Sequence, residues 1–210
     1  MKKSGFTLIE MLVVIGIIAT LMGIAVVGFG GMTKRAQRAK TQELVSNAAT
    51  ALTMIFQEKK MWPKPIVEGM SQKQLNRDVC AAFVRHGSSG LLGISYKNEK
   101  GEDGVTRRVV DSQSADRFGL ITPQAAAVVR RTSGASLSTK VPTGGTIADH
   151  ILHYSVDLDG DGLTEVTSGG RTMKVRATAC VWSFGADGVE SSSRSRGDDV
   201  YSWRPDQEVR

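Results

Sequence analysis

The sequence predicts an α+β chain: a long N-terminal helix, transmembrane and then amphipathic, packed on a small antiparallel C-terminal sheet. Three observations carry this reading. Phe6 to Met32 is apolar apart from Glu10. Leu44, Ala48, Ala51, Leu52, Ile55 and Phe56 then recur at spacings of three and four, a stripe along one helix face. Near the end, Lys174, Arg176 and Thr178 alternate with Met173, Val175, Ala177 and Ala179, the period of a half-buried strand.

Taken in order, Lys2 and Lys3 precede the apolar stretch and place its start on the cytoplasmic side, with the remainder of the chain outside. At about 1.5 Å per residue, Phe6 to Met32 is long enough for a bilayer core. Glu10 is costly in lipid and needs a partner. Gly16, Ala19 and Gly23 offer small surfaces for helix packing. Met32 to Lys40 is basic and free of helix breakers, and Lys34, Arg35, Arg38 and Lys40 either meet lipid headgroups or form a solvated face. Trp62-Pro63-Lys64-Pro65 should end the helix.

Ser71 to Arg85 reads as a short helix capped by Ser71, with Leu75, Val79 and Phe83 inward. Gly87 to Gly104 is loop-like, with a short strand over Leu91 to Tyr96; Arg107 to Asp111 is another strand. Thr122 to Arg131 is a helix with Pro123 in its first turn. Ser133 to Gly145 is a polar connector. Ile151 to Val156 and Met173 to Phe184 are antiparallel strands joined through Asp157 to Arg171.

The 210 residues suffice for one membrane helix and one modest domain. The net charge of +6 is scattered, without the basic density or interleaved aromatics of a nucleic-acid groove, so no direct nucleic-acid partner is expected. His86, His150 and His153 have no metal or nucleophile partner in the sequence, His150 and His153 read as surface or edge residues, and no catalytic arrangement emerges. Export would put Cys80 and Cys180 in an oxidising compartment, where they either pair as a disulfide or remain two buried thiols.

Asp157-Leu158-Asp159-Gly160-Asp161-Gly162 has three alternating carboxylates followed by a turn glycine, the front half of a calcium loop. Glu165 is a further oxygen ligand. The expected glutamate at the twelfth position is Ser168, so the loop is no complete EF-hand; a solvated Asp/Gly turn is the alternative.

Lys3-Ser4-Gly5-Phe6-Thr7-Leu8-Ile9-Glu10 resembles the prepilin signal of type IV pilins and type II secretion pseudopilins. The resemblance implies a pilin-like fold with a leader over 1–5, a transmembrane and polymerisation helix over 6–32, an amphipathic helix over 33–62 and a periplasmic domain over 63–210. It implies cleavage between Gly5 and Phe6 by a prepilin peptidase, N-methylation of Phe6, and retention of Glu10 for assembly, where a neighbouring subunit's terminal ammonium pairs with it. Trp182 to Trp203 is similar to the C-terminal region of the major pseudopilin, which binds calcium; matching positions are Asp187, Asp198 and Asp199, with Ser183 an added oxygen. One or two calcium ions are thereby implied. The Asp-Pro-Trp-Gly segment of that subunit has no counterpart here.

The function implied is that of a structural subunit, not an enzyme: a homo-oligomeric helical pseudopilus, anchored by a single pass in the bacterial inner membrane. Other pseudopilins and an inner-membrane assembly platform would be its partners in type II secretion. A type IV or DNA-uptake pilin shares the leader, and a non-polymerising, membrane-anchored calcium-binding domain is the third reading.

Overall fold

The structure, a computed structural model, describes residues 7–70, 73–113, 115–191 and 197–209, without the side chains of residues 24–30. Two compact units divide the chain, Met1–Gln37 and Arg38–Arg210. Helix α1 spans Leu8–Lys59. Within the first unit it exposes Leu8, Leu12, Ile15, Leu21 and Met22. Among the described residues no helix is long and apolar enough to cross a membrane. The span expected over 6–32 includes Phe6 and the side chains of 24–30, which lie outside them.

In the second unit, the predicted stripe becomes the core face of α1. Val45, Ala48, Ala51, Leu52 and Ile55 are buried, with Leu44 packed beside them. Lys60 closes the helix in the left-handed conformation, φ 56°, and donates to Phe56 O at 2.7 Å. Phe56 stacks on Trp62 at 4.8 Å. After Pro63 the chain turns into α2 (Lys64–Gly69), then α3 (Arg77–Arg85) and α4 (Ser89–Leu92).

The N-cap of α3 is Asn76, whose side chain accepts from the Asp78 and Val79 N–H groups at 3.1 Å each. The expected cap, Ser71, lies outside the described residues. The strand expected over Leu91 to Tyr96 is instead α4, ended by Gly93 in the left-handed region (φ 62°), followed by a bend into β1 (Tyr96–Lys100). β1 pairs antiparallel with β2 (Thr106–Val110). α5 (Pro123–Arg131) begins at its proline as expected.

The C-terminal region holds two three-stranded antiparallel sheets where one was expected. β3 (His153–Val156) pairs with β6 (Ala179–Ser183), which pairs with β7 (Val200–Tyr201). β4 (Leu163–Ser168) pairs with β5 (Arg171–Arg176), which pairs with β8 (Glu208–Val209). The expected strand over Met173 to Phe184 is therefore two strands. They part at Ala177 and Thr178, where Thr178 O accepts from Asp157 N–H at 3.0 Å rather than from a ladder partner. The expected connector over Asp157 to Arg171 contains β4, turned by Gly169 and Gly170 at φ 60° and 70°, as a two-residue hairpin requires.

Alternation on β3 and β6 divides the core. Tyr154, Val156, Ala179 and Val181 face the helices, packing with α1 and α3. Cys180 and Trp182 face the other way, toward Val166 and Val175 on the β4–β5 hairpin and Trp203. This settles the cysteines. Cys80 sits in the helix-side core, its thiol donating to Leu75 O at 3.6 Å, while Cys180 sits on the opposite face of the sheet; both are free thiols, not a disulfide. Burial pushes the Cys80 thiol far up and the Cys180 thiol up to about 12, so neither is a ready nucleophile.

Candidate functional site

Three places bear on function. The first is the start of α1. Gly5 and Phe6 lie outside the described residues. Thr7 is the N-cap, and Glu10 Oε2 accepts both the Thr7 N–H and the Thr7 Oγ1–H at 2.7 Å. In return, Glu10 N–H donates to Thr7 Oγ1 at 3.4 Å. This is a reciprocal capping box. Thr7-x-x-Glu10 is its sequence signature, a second role for Glu10 that the reading above missed. Both bonds use Oε2; among the described residues Oε1 accepts none.

The second is the loop after β3. Carboxylate oxygens of Asp157, Asp159 and Asp161 lie within 4.8 Å of one another. Asp157 is buried, and its Oδ1 and Oδ2 accept from Gly160 N–H at 2.7 Å and Gly162 N–H at 2.8 Å. Gly160 and Gly162 take φ 76° and 82°, which folds the loop back over that carboxylate. Asp161 Oδ1 accepts from Leu163 N–H at 2.7 Å. The indole N–H of Trp62 donates to Asp157 O at 2.5 Å and ties the loop to the end of α1. Glu165 is not in the convergent group: it stands on β4, lining a common cavity with Asp159 and Asp161. Hard oxygen ligands on one turn suit calcium chemically.

The third is the loop after β6, of which residues 192–196 lie outside the described ones. Asp187, Asp198 and Asp199 do not form a convergent carboxylate group among the described residues. These and Ser183 are engaged by local donors. Asp187 Oδ1 accepts from Val189 N–H at 2.9 Å, Asp198 Oδ2 from Ala186 N–H at 2.5 Å, and Ser183 Oγ from Gly185 N–H at 3.3 Å. Asp199 accepts from Ser191 N–H at 3.0 Å and Tyr201 O–H at 3.1 Å, and burial pushes its carboxyl above the usual range. These carboxylates close the loop as turn acceptors. Trp182 and Trp203 anchor its ends, packed edge-on at 6.0 Å.

His153 stands on the edge strand β3, as expected, but neither it nor His150 is a surface residue. His150 is buried, its Nδ1 within 2.8 Å of Thr122 Oγ1 and its Nε2 within 2.9 Å of Gly144 O. His153 is buried against Phe184, with ring centroids 4.1 Å apart, and Trp182 at 5.7 Å. Burial lowers its pKa from 6.5 to about 4. The unfolded chain takes up this proton below pH 6.5, whereas the folded chain resists it down to about 4. Stability is thus full above pH 6.5 and falls through the window down to pH 4, by about 3 kcal/mol. Thermal unfolding of the detergent-extracted chain should show this decline, and His153→Phe should flatten it; an unchanged slope in the variant assigns the titration elsewhere.

Comparison with known proteins agrees with the helix start. The prokaryotic N-terminal methylation motif matches residues 1–26. The chain is 29% identical over 115 residues to the type IV major pilin protein PilE of Neisseria gonorrhoeae, covering 55% of this chain and 60% of that protein. The chain thus spans about 60% of that relative's length. No solved structure gives a significant match. The motif implies a membrane-anchored N-terminus. With that motif at the head of a long helix, a helix-on-antiparallel-sheet fold behind it and a stretch of similarity to a major pilin, the chain resembles type IV pilins in its N-terminal motif and its fold.

Proposed function

We propose that this chain is a structural subunit, not an enzyme, of a helical fibre assembled from the bacterial inner membrane. A prepilin peptidase would cut it between Gly5 and Phe6 and methylate Phe6. The observation that carries this reading is the N-terminal methylation motif at the head of α1, with Glu10 the fifth residue after the cut. Oε2 of Glu10 is held by Thr7, which supports a role for Oε1 in receiving a neighbour's terminal ammonium. The finer reading is a periplasmic pseudopilus of type II secretion, built with other pseudopilins on an inner-membrane platform, with a single membrane pass over 6–32 and the second unit in the periplasm. Identity to a major pilin favours a second reading, a type IV or DNA-uptake pilin of the same construction.

Intact-mass and peptide mass spectrometry of membrane-extracted protein should find N-methyl-Phe6 as the first residue. A start at Met1 or Lys2, in cells with an active prepilin peptidase, overturns the fibre reading. Electron microscopy then separates the finer readings: long surface filaments favour the pilin, short periplasmic ones the pseudopilus.

We also propose calcium at Asp157, Asp159 and Asp161. The convergence of their carboxylates supports it. Calorimetry of the EDTA-treated chain should show binding and a raised melting temperature in calcium. Asp159→Asn should abolish both, and no binding at millimolar calcium removes the site.

A further inference from the structure

An arginine-lined cleft lies between α3 and β2. Arg77, Ala81 and Arg85 recur every four residues, on one face of α3, and Arg107, Arg108 and Val109 line the facing side. The cleft measures about 700 Å³, and all four arginines are exposed. Arg107 is paired with Asp103, Arg108 lies over the Tyr96 ring at 5.2 Å, and Asp78 is the cleft's own acidic residue. Arg77 and Arg85 form no ion pair among the described residues. About 12 Å of helix separates them, over the apolar floor of Ala81 and Val109.

The loop after β3 has the complementary pattern. Leu158, 58% exposed, lies between Asp157 and Asp159, and Asp161 follows two residues on. Asp159 and Asp161 are exposed and, like Arg77 and Arg85, form no ion pair among the described residues. Lys73, Lys174 and Glu165 share the cavity beneath them. We propose that the arginine cleft of one subunit receives the Asp159–Asp161 loop of a second copy, with Leu158 on the apolar floor and the two carboxylates reaching the guanidinium forks. Tyr96 has one face taken by Arg108 and the cleft holds Asp78, so a short acidic turn fits better than a stacked nucleic-acid strand.

Cleft and loop share no lining residue. The contact is therefore heterologous: each copy offers one of each, and repetition yields an open filament unless the rotation closes a ring. This inference rests on the fibre reading and adds to it a contact outside the N-terminal helix. Calcium and arginine compete for the same carboxylates, so calcium loosens the contact.

Full-length chain carrying both Val109→Cys and Leu158→Cys, assembled in membranes and treated with a short bis-maleimide, should give a ladder of covalent oligomers. A mixture of the two single variants should stop at dimers. Arg77→Glu with Arg85→Glu should lower the crosslink about tenfold, as should Asp159→Lys with Asp161→Lys; combining the four should restore it. Added calcium should lower the yield as well. Normal fibres without the crosslink, or charge reversals without effect, overturn this contact and leave the fibre reading standing. An unprocessed N-terminus with no fibres overturns both. Circular dichroism of each variant confirms that the fold persists.

Discussion

Glu10→Ala is expected to leave membrane insertion intact and to reduce fibre yield about tenfold or more, because it removes both of the roles the side chain can play. The first is local: Oε2 caps the helix through Thr7. The second, in the proposed fibre, is the charge that Oε1 offers to the next subunit. Glu10→Gln separates them. Glutamine is a competent capping-box residue, so the helix start survives, while the charge is lost. Fibre yield in the glutamine variant should be as low as with alanine. Recovery with glutamine would assign the residue to capping alone, and normal yield with alanine would remove both roles. Quantitative immunoblotting of the membrane and fibre fractions reads both outcomes.

Gly119→Ala should cost the second unit roughly 3 kcal/mol or more, lowering the melting temperature by roughly 6–12 °C. Gly119 has φ +118°, and an added Cβ would lie 2.2 Å from Leu75 O and 2.8 Å from Asn76 Cα. Those are backbone atoms and cannot rotate away. The same carbonyl accepts from Leu120 N–H at 2.9 Å, and Leu120 O in turn accepts from Leu152 N–H at 2.8 Å, so a shift here disturbs three chain segments together. Gly87→Ala is the control: φ is +76° but nothing lies within 4 Å, so about 1 kcal/mol is expected. Equal losses in the two variants would show that φ alone decides, without the close approach.

The amphipathic half of α1 was legible because its stripe repeats over many turns, and burial followed it closely. Pro123 and the α5 helix were legible for a local reason, as was the proline-marked stop near Trp62. The sheet division was hidden. Met173 to Phe184 keeps a strand-like composition through Ala177 and Thr178, and what breaks it is a tertiary bond from Asp157. The Gly169-Gly170 turn and the alternation from Leu163 to Ser168 were signals that could have found β4. At the sites, spacing alone identified the convergent aspartates of the first loop. Asp187, Asp198 and Asp199 were named from a resemblance rather than a spacing, and what the structure shows of them is a set of backbone acceptors, a role that an aspartate in a glycine-rich turn takes readily. Burial of His150 and His153 depends on packing from distant segments that a local reading does not show.

The placement of β7 and β8 sets the order in which the domain can mature. Each is a two-residue strand near the C-terminus, and they complete different sheets: β7 beside β6, β8 beside β5. Trp203, between them, fills the core shared by those sheets. A chain made from its N-terminus therefore keeps both sheets incomplete at an edge until β7 and β8 are available. Closure is a late, long-range event, with the cost of loop closure met before the last contacts reward it. In the proposed inner-membrane subunit, that delay would leave the domain pliable during export and let its helix settle in the bilayer before the domain locks.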